Sequence, residues 1–201
     1  MKALILVDIQ NDFLPGGALA VPKGDAIIPK INKIQSKFDL IVATQDWHPK
    51  AHKSFASNHE KAQVFDVVDL NGNPQVLWPD HCVQGSDGAQ FSEALRTDKV
   101  AAIFRKGMDI EVDSYSAFYD NNHSNATGLE GYLKGKGISD VYVGGLAADY
   151  CVYYTAKDAK LAGFNTYYLT DATSYIDQAS YEAALTDLKA HKVHLVETSN
   201  L

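Results

Sequence analysis

Side chains able to do chemistry recur in this sequence at one kind of place, just past a short apolar run. Asp8 follows Ala3–Val7, Asp46 and His48 follow Leu40–Thr44, Lys106 follows Val100–Phe104, and Cys151 follows Val141–Val143 and a glycine pair. A thiol attacks as its thiolate, and a neighbouring carboxylate can take its proton. Asp8, at the end of an apolar strand, is expected to be buried and to need a cationic partner, which Lys106 offers. Alone, such a pair reads as readily as a structural ion pair. Beside Cys151 the carboxylate gains the role of base, with the lysine holding it in place.

Cys151 sits where Val141-Tyr142-Val143-Gly144-Gly145-Leu146-Ala147-Ala148-Asp149-Tyr150 gives way to a helical composition running to Ala162. The first turn of a helix points free N–H groups and the positive dipole end at such a side chain, which favours ionisation of the thiol. Asp149 is the expected helix cap. On this stretch alone a small buried structural cysteine fits equally well. The repetition of reactive side chains at four strand ends favours the nucleophile.

Asp46-Trp47-His48 and Trp78-Pro79-Asp80-His81-Cys82 form a second set. One Asp and two His suit a divalent transition metal, and the Asp-x-His spacing puts both side chains on one side of an extended segment. His52, His59 and Asp80 compete for the same role. Cys82, next to His81, points the other way in extended chain and reads as structural. Phe13 and Trp78 flank these segments and could stack on a flat ligand. Phe13 could equally pin its loop to the core.

The elements that must position these residues follow from periodicity. Strands are expected at Lys2–Val7, Leu40–Thr44, Val100–Phe104, Val141–Val143, Thr166–Leu169 and Val193–Val196. Helices are expected over Asp25–Phe38, Leu129–Lys136, Tyr150–Ala162 and Ser180–Ala190, the last capped by Ser180. Gln45–Asp98 is long and polar and should carry small elements of its own, a minor strand at Val76–Trp78 and a short helix at Phe91–Arg96. Alternating strands and helices predict a parallel sheet with helices on both faces, its ligands bound beyond the C-terminal strand ends.

Composition narrows the partners. The 201 residues suit one domain, 1–201. A net charge of -7 without a Lys/Arg-rich run argues against nucleic acid. The first apolar run is too short for a signal peptide or a membrane span, so no membrane partner is expected. Two cysteines make no disulfide framework, and a reducing, cytoplasmic setting is the simplest reading.

Taken together, the segments match a known family in order and over nearly the whole chain. They are Val7-Asp8-Ile9-Gln10-Asn11-Asp12-Phe13, Thr44-Gln45-Asp46-Trp47-His48-Pro49, Ser54-Phe55-Ala56-Ser57-Asn58-His59, Trp78-Pro79-Asp80-His81-Cys82-Val83, Lys106-Gly107, Asp113-Ser114-Tyr115-Ser116-Ala117-Phe118 and Gly144–Val152. The chain resembles the nicotinamidases, which also act on pyrazinamide, within the isochorismatase-like cysteine hydrolases.

The resemblance implies a three-layer α/β/α fold with a six-stranded parallel sheet. It implies a catalytic triad of Asp8, Lys106 and Cys151, and an oxyanion hole from the backbone of Ala147 and Cys151 with a cis Leu146–Ala147 bond. Asp46, His48 and His81 are the implied ligands of one divalent metal, zinc first, with iron or manganese as alternatives. Phe13 and Trp78 would wall the substrate ring, with Tyr115 nearby. Ser54 stands where some relatives have a further metal-binding His, which suggests a water-mediated contact there. Tyr150 replaces a His found in some relatives. The implied reaction, in NAD salvage, is hydrolysis of nicotinamide to nicotinate through a cysteine thioester, with the metal orienting the pyridine nitrogen. The alternative is a related cysteine amidohydrolase acting on a ureido or carbamoyl compound. The expected partner is the small-molecule substrate, with monomer or homo-oligomer left open.

Overall fold

The computed structural model describes residues 1–201. Its main sheet has six strands: β1 (Lys2–Val7), β2 (Leu40–Asp46), β5 (Ala102–Lys106), β6 (Asp140–Leu146), β7 (Asn165–Ser174) and β8 (His194–Val196). They lie in the order β5-β2-β1-β6-β7-β8, and every neighbouring pair is parallel. A separate antiparallel hairpin joins β3 (Val67–Leu70) to β4 (Asn73–Val76).

The strand β1 explains the layering. After Lys2 it has no polar residue, and all five of its remaining side chains are buried, as suits a strand covered on both faces. Ala3, Ile5 and Val7 join one core with Leu129 and Leu133 of α2 (Leu129–Gly135), Val152, Ala156 and Ala159 of α3 (Cys151–Leu161), and Leu188 of α4 (Gln178–Ala190). Leu4 and Leu6 face a second core with Ile28, Ile31 and Ile34 of α1 (Ile28–Ile34). Helices therefore pack on both faces, as the sequence led us to expect. None of them is long and apolar enough to cross a membrane.

Several local expectations need correction. The helix expected over Asp25–Phe38 is a 3-10 turn at Gly24–Ile27, then α1 with Pro29 in its first turn, then a second 3-10 turn at Gln35–Lys37. No helix forms at Phe91–Arg96. There Ser92 N–H donates to Ile9 O (3.0 Å), and the Asn32 amide binds Ala94 O (2.8 Å) and accepts from Arg96 N–H (2.9 Å). Bonds to distant segments leave a single turn, with Leu95 N–H donating to Ser92 O at 3.0 Å. The minor strand lies at Asn73–Val76, before the expected Val76–Trp78, while Trp78 makes only an isolated bridge to Phe55. Ser180 is not the cap of α4. Asp177 is, accepting from Ser180 N–H at 2.8 Å.

Strand register places the reactive residues. Val7 pairs with Gly145, so Asp8 emerges beside Leu146. A Cβ on Gly145 would stand 2.0 Å from Val7 O, so only glycine allows this approach. On the other side of β1, Asp46 and Lys106 are register partners at the ends of β2 and β5.

Candidate active site

Lys106 is the centre of the site. Its buried ammonium lies 2.9 Å from Asp8 Oδ2, donates to Asp46 Oδ1 and to Ser114 O (2.9 Å), and stands 3.4 Å from Cys151 Sγ. Burial works against its charge, but Asp46 and Asp8 outweigh it and raise its pKa well above the usual lysine range.

Asp8 has left-handed backbone geometry (φ 47°) directly after β1. Its Oδ1 accepts from Thr44 Oγ1 at 2.6 Å, and the same hydroxyl accepts from Asp8 N–H at 3.2 Å. Its Oδ2 has no hydrogen bond of good geometry, since the Lys106 contact is close but off-axis. Burial raises the Asp8 pKa despite Lys106, whereas Asp46 is held well below the ordinary range because Lys106 and His48 overcome its burial. Two carboxylates sharing one ammonium are thus pushed apart, one fixed as an anion and the other able to exchange a proton.

Cys151 is the first residue of α3 and is buried. Its Sγ and one carboxylate oxygen each of Asp8 and Asp46 lie within 4.8 Å of one another. The expectation of an easily ionised thiol is corrected here. Burial raises the Cys151 pKa well above normal, and Lys106 offsets this only in part against the added effect of Asp8 and Asp46. Asp149 is not the helix cap either; its carboxylate accepts from Ile176 N–H (3.1 Å) and Asp177 N–H (2.9 Å), tying the end of β7 to the start of α3. The Leu146–Ala147 peptide is cis. The N–H groups of Ala147 and Cys151 donate to no protein acceptor, although both residues are buried. Buried, unused donors of this kind are what a developing oxyanion requires.

The second half of the site is a donor set. His48 Nδ1 lies 2.8 Å from Gly107 O and His81 Nδ1 lies 2.8 Å from Pro79 O. A carbonyl can only accept, so each Nδ1 carries a proton and Nε2 is the ring nitrogen turned toward Asp46. Those two nitrogens converge on Asp46 Oδ2, at 3.5 and 3.7 Å. Two imidazoles oriented by backbone carbonyls, with one carboxylate, match the donors and orientation of a zinc-type site. Gly107 is required here, because a Cβ would stand 2.3 Å from His48 Cε1.

Of the rival ligands, His59 and Asp80 are occupied elsewhere, whereas His52 Nε2 has no hydrogen-bond partner. His59 Nε2 is 2.6 Å from Lys53 O, and Asp80 accepts from Ser57. His52 is fully buried beside His48, with its Nδ1 2.7 Å from Ser54 Oγ, and groups with His48 and Asp113 rather than with Asp46 and His81. Burial holds its pKa down at about 4. Ser54 thus lies outside the Asp46–His48–His81 group, its hydroxyl bonded to His52. Cys82 is buried, with Sγ only 4.0 Å from Gly88 O, and takes no part in these groups.

Both halves open on one narrow cavity. Phe13, Trp78, Tyr115 and Ala147 line it together with Asp46, His81 and Cys151. Phe13 is both buried in the core and set against His81, with ring centres 5.5 Å apart. Sequence reasoning gave no role to Leu19, Asp113, Tyr150 or Ile176, which also line the cavity. Tyr150 and Asp113 stood in the matched segments. Leu19 and Ile176 come from loops whose sequence carries no periodic signal.

Comparison with known proteins shows the family of the chain. A curated nicotinamidase of Acinetobacter baylyi is 49% identical over 200 residues, covering 99% of this chain and 94% of the relative. The solved structure of an Acinetobacter baumanii nicotinamidase and pyrazinamidase superposes with a TM-score of 0.97 at 46% identity, covering 99% of this chain and 97% of that one. A pyrazinamidase of Pyrococcus horikoshii in complex with zinc gives a TM-score of 0.79 at 41% identity over 98% of both chains. The family model for the Isochorismatase domain matches residues 2–200, and the chain belongs to that family.

Proposed function

We propose that the chain is a nicotinamide amidohydrolase: nicotinamide and water give nicotinate and ammonia, with pyrazinamide as a second substrate. One observation carries this reading. A buried thiol with a carboxylate base and two unused N–H donors faces the same slot as a two-histidine, one-carboxylate donor set. The similarity to nicotinamidases and pyrazinamidases supplies the substrate class.

Burial pushes the Cys151 pKa up, so the mechanism pairs attack by sulfur with a proton acceptor. Asp8 Oδ2 takes the proton as sulfur attacks the amide carbon. The N–H groups of Ala147 and Cys151 hold the oxyanion. Asp8 then passes its proton to the departing nitrogen, ammonia leaves, and a thioester remains. A water gives its proton to Asp8 and attacks the thioester carbonyl, which frees the acid and returns the proton to sulfur. Lys106 holds Asp8 in place throughout and balances its charge.

Asp46, His48 and His81 would hold the divalent metal, for which zinc is supported by the donor set and by the zinc-bound relative. When bound, such a cation supplies a Lewis-acid point for the pyridine nitrogen and so orients the ring. Phe13, Trp78 and Tyr115 would flank the ring on this reading, and Ser54, bonded to His52, would contact the metal only through water.

Ammonia release by the purified protein is the test. Nicotinamide is expected to be turned over far faster than ureido or carbamoyl compounds. The reverse preference would assign the chain to another cysteine amidohydrolase.

A further inference from the structure

The β3–β4 hairpin buries one of its eight strand residues, Gln75, which is 4% exposed. A primary amide is costly to bury unless its polar atoms are bonded. The Gln75 Nε2 lies 3.0 Å from Asp113 Oδ2, 3.0 Å from Tyr115 OH and 2.8 Å from Val76 O. Its Oε1 lies 3.5 Å from Asn121 Nδ2, and Asn121 Oδ1 accepts from Tyr115 N–H at 3.0 Å. The Tyr115 hydroxyl takes a second donor, Trp78 Nε1, at 3.2 Å.

Tyr115, Trp78 and Asp113 all line the cavity, while Gln75 does not. One side chain outside the cavity therefore bonds two residues of its wall directly and meets a third at a shared hydroxyl. Two further side-chain bonds tie the hairpin to the neighbouring chain, but both are exposed and reach residues outside the cavity wall: Asn71 Nδ2 to Glu111 O (2.9 Å) and Asn73 Nδ2 to Asn122 Oδ1 (2.6 Å). Such bonds contribute little against water. Gln75 is the buried polar link between hairpin and slot.

We propose that Gln75 is a positioning residue of the substrate slot, fixing the Tyr115–Trp78 wall through the Tyr115 hydroxyl and the Asp113 carboxylate. The proposal rests on the nicotinamidase reading. Gln75 is bonded to none of Cys151, Asp8 and Lys106, so its loss loosens ring binding and spares the thiol chemistry.

The test is steady-state kinetics with nicotinamide on the metal-loaded wild type, Gln75→Leu, Tyr115→Phe and the double variant, with thermal unfolding alongside. Gln75→Leu is expected to raise KM roughly tenfold, with kcat within roughly threefold of wild type. The double variant is expected to raise KM by less than the product of the two single effects, because both substitutions remove the same bond. A purely structural Gln75 would lower the unfolding temperature and leave KM unchanged, which overturns the proposal. If Gln75→Leu does not fold, an unchanged KM in Tyr115→Phe overturns it, and a raised KM there supports it. A wild type that releases no ammonia from nicotinamide overturns the functional reading and this proposal with it. An active wild type whose KM is matched by Gln75→Leu overturns the proposal alone.

Discussion

Asp46 and Lys106 face each other as register partners on adjacent parallel strands, and their side chains are in direct contact. The same ammonium lies 2.9 Å from Asp8 and 3.4 Å from Cys151. The carboxylate that belongs to the metal donors and the carboxylate that serves the thiol therefore share one cation. Parallel pairing of β2 with β5, and of β1 with both β2 and β6, brings this about without any long loop reaching across the site.

Lys106→Met separates the two halves. Asp8 loses its partner in a fully buried setting, so turnover is expected to fall by at least roughly a hundredfold. Removing one member of a buried charge cluster is expected to cost about 3–5 kcal/mol of stability. Metal content should persist, since Asp46, His48 and His81 remain. Metal analysis and chemical denaturation of the purified variant check both statements. Loss of metal in a folded Lys106→Met protein would make the lysine part of the metal site.

Asp46→Ala or His48→Ala is expected to release the metal and weaken nicotinamide binding, while His52→Ala and His59→Ala retain metal. The distinction rests on the two Nε2 atoms that meet at Asp46 Oδ2. Elemental analysis of the four proteins decides it. Full metal content in both Asp46→Ala and His48→Ala would move the site to other ligands.

His52 gives a pH signature. Burial lowers its pKa from the ordinary imidazole value to about 4. Between pH of about 6.5 and 4 the unfolded chain binds a proton that the folded chain does not, so stability falls as pH falls through that window. The loss attributable to this one group reaches about 3 kcal/mol at the acid end. Denaturation of wild type and His52→Gln across the window measures it. The variant's stability should depend less on pH, and parallel curves would contradict a buried neutral His52.

The strand ends were legible because a chemical side chain just past an apolar run is a local signal, as at Asp8 and Asp46, and Cys151 was legible from the glycine pair and helical composition around it. The hairpin was legible only in part. Val67–Val76 is mostly exposed and its residues do not alternate apolar with polar, so nothing in the sequence marks Gln75 as buried. Asp149 looked like a cap because it precedes a helix, but its partners, Ile176 and Asp177, lie far along the chain. The thiol's surroundings were hidden for a related reason. The helix terminus is visible in sequence, whereas the burial that outweighs it depends on the assembled sheet.

Benzamide tests what the metal contributes. It shares the scissile amide and nearly the same shape, but has carbon where nicotinamide has the ring nitrogen. Its kcat/KM is expected to be lower by at least roughly a hundredfold, because sites built around one polar contact reject analogues that lack it. Most of that gap should close in His48→Ala, where neither amide can use the metal. Equal values on the wild type would remove the metal from substrate recognition.

The covalent intermediate is the most direct test of the whole account. Wild-type protein mixed with nicotinamide and quenched in acid within a turnover should carry a nicotinoyl group on the peptide containing Cys151, read by mass spectrometry. Cys151→Ala should show no adduct and no ammonia release, yet still bind nicotinamide. Undiminished hydrolysis by Cys151→Ala, with no adduct on the wild type, would contradict the thioester mechanism.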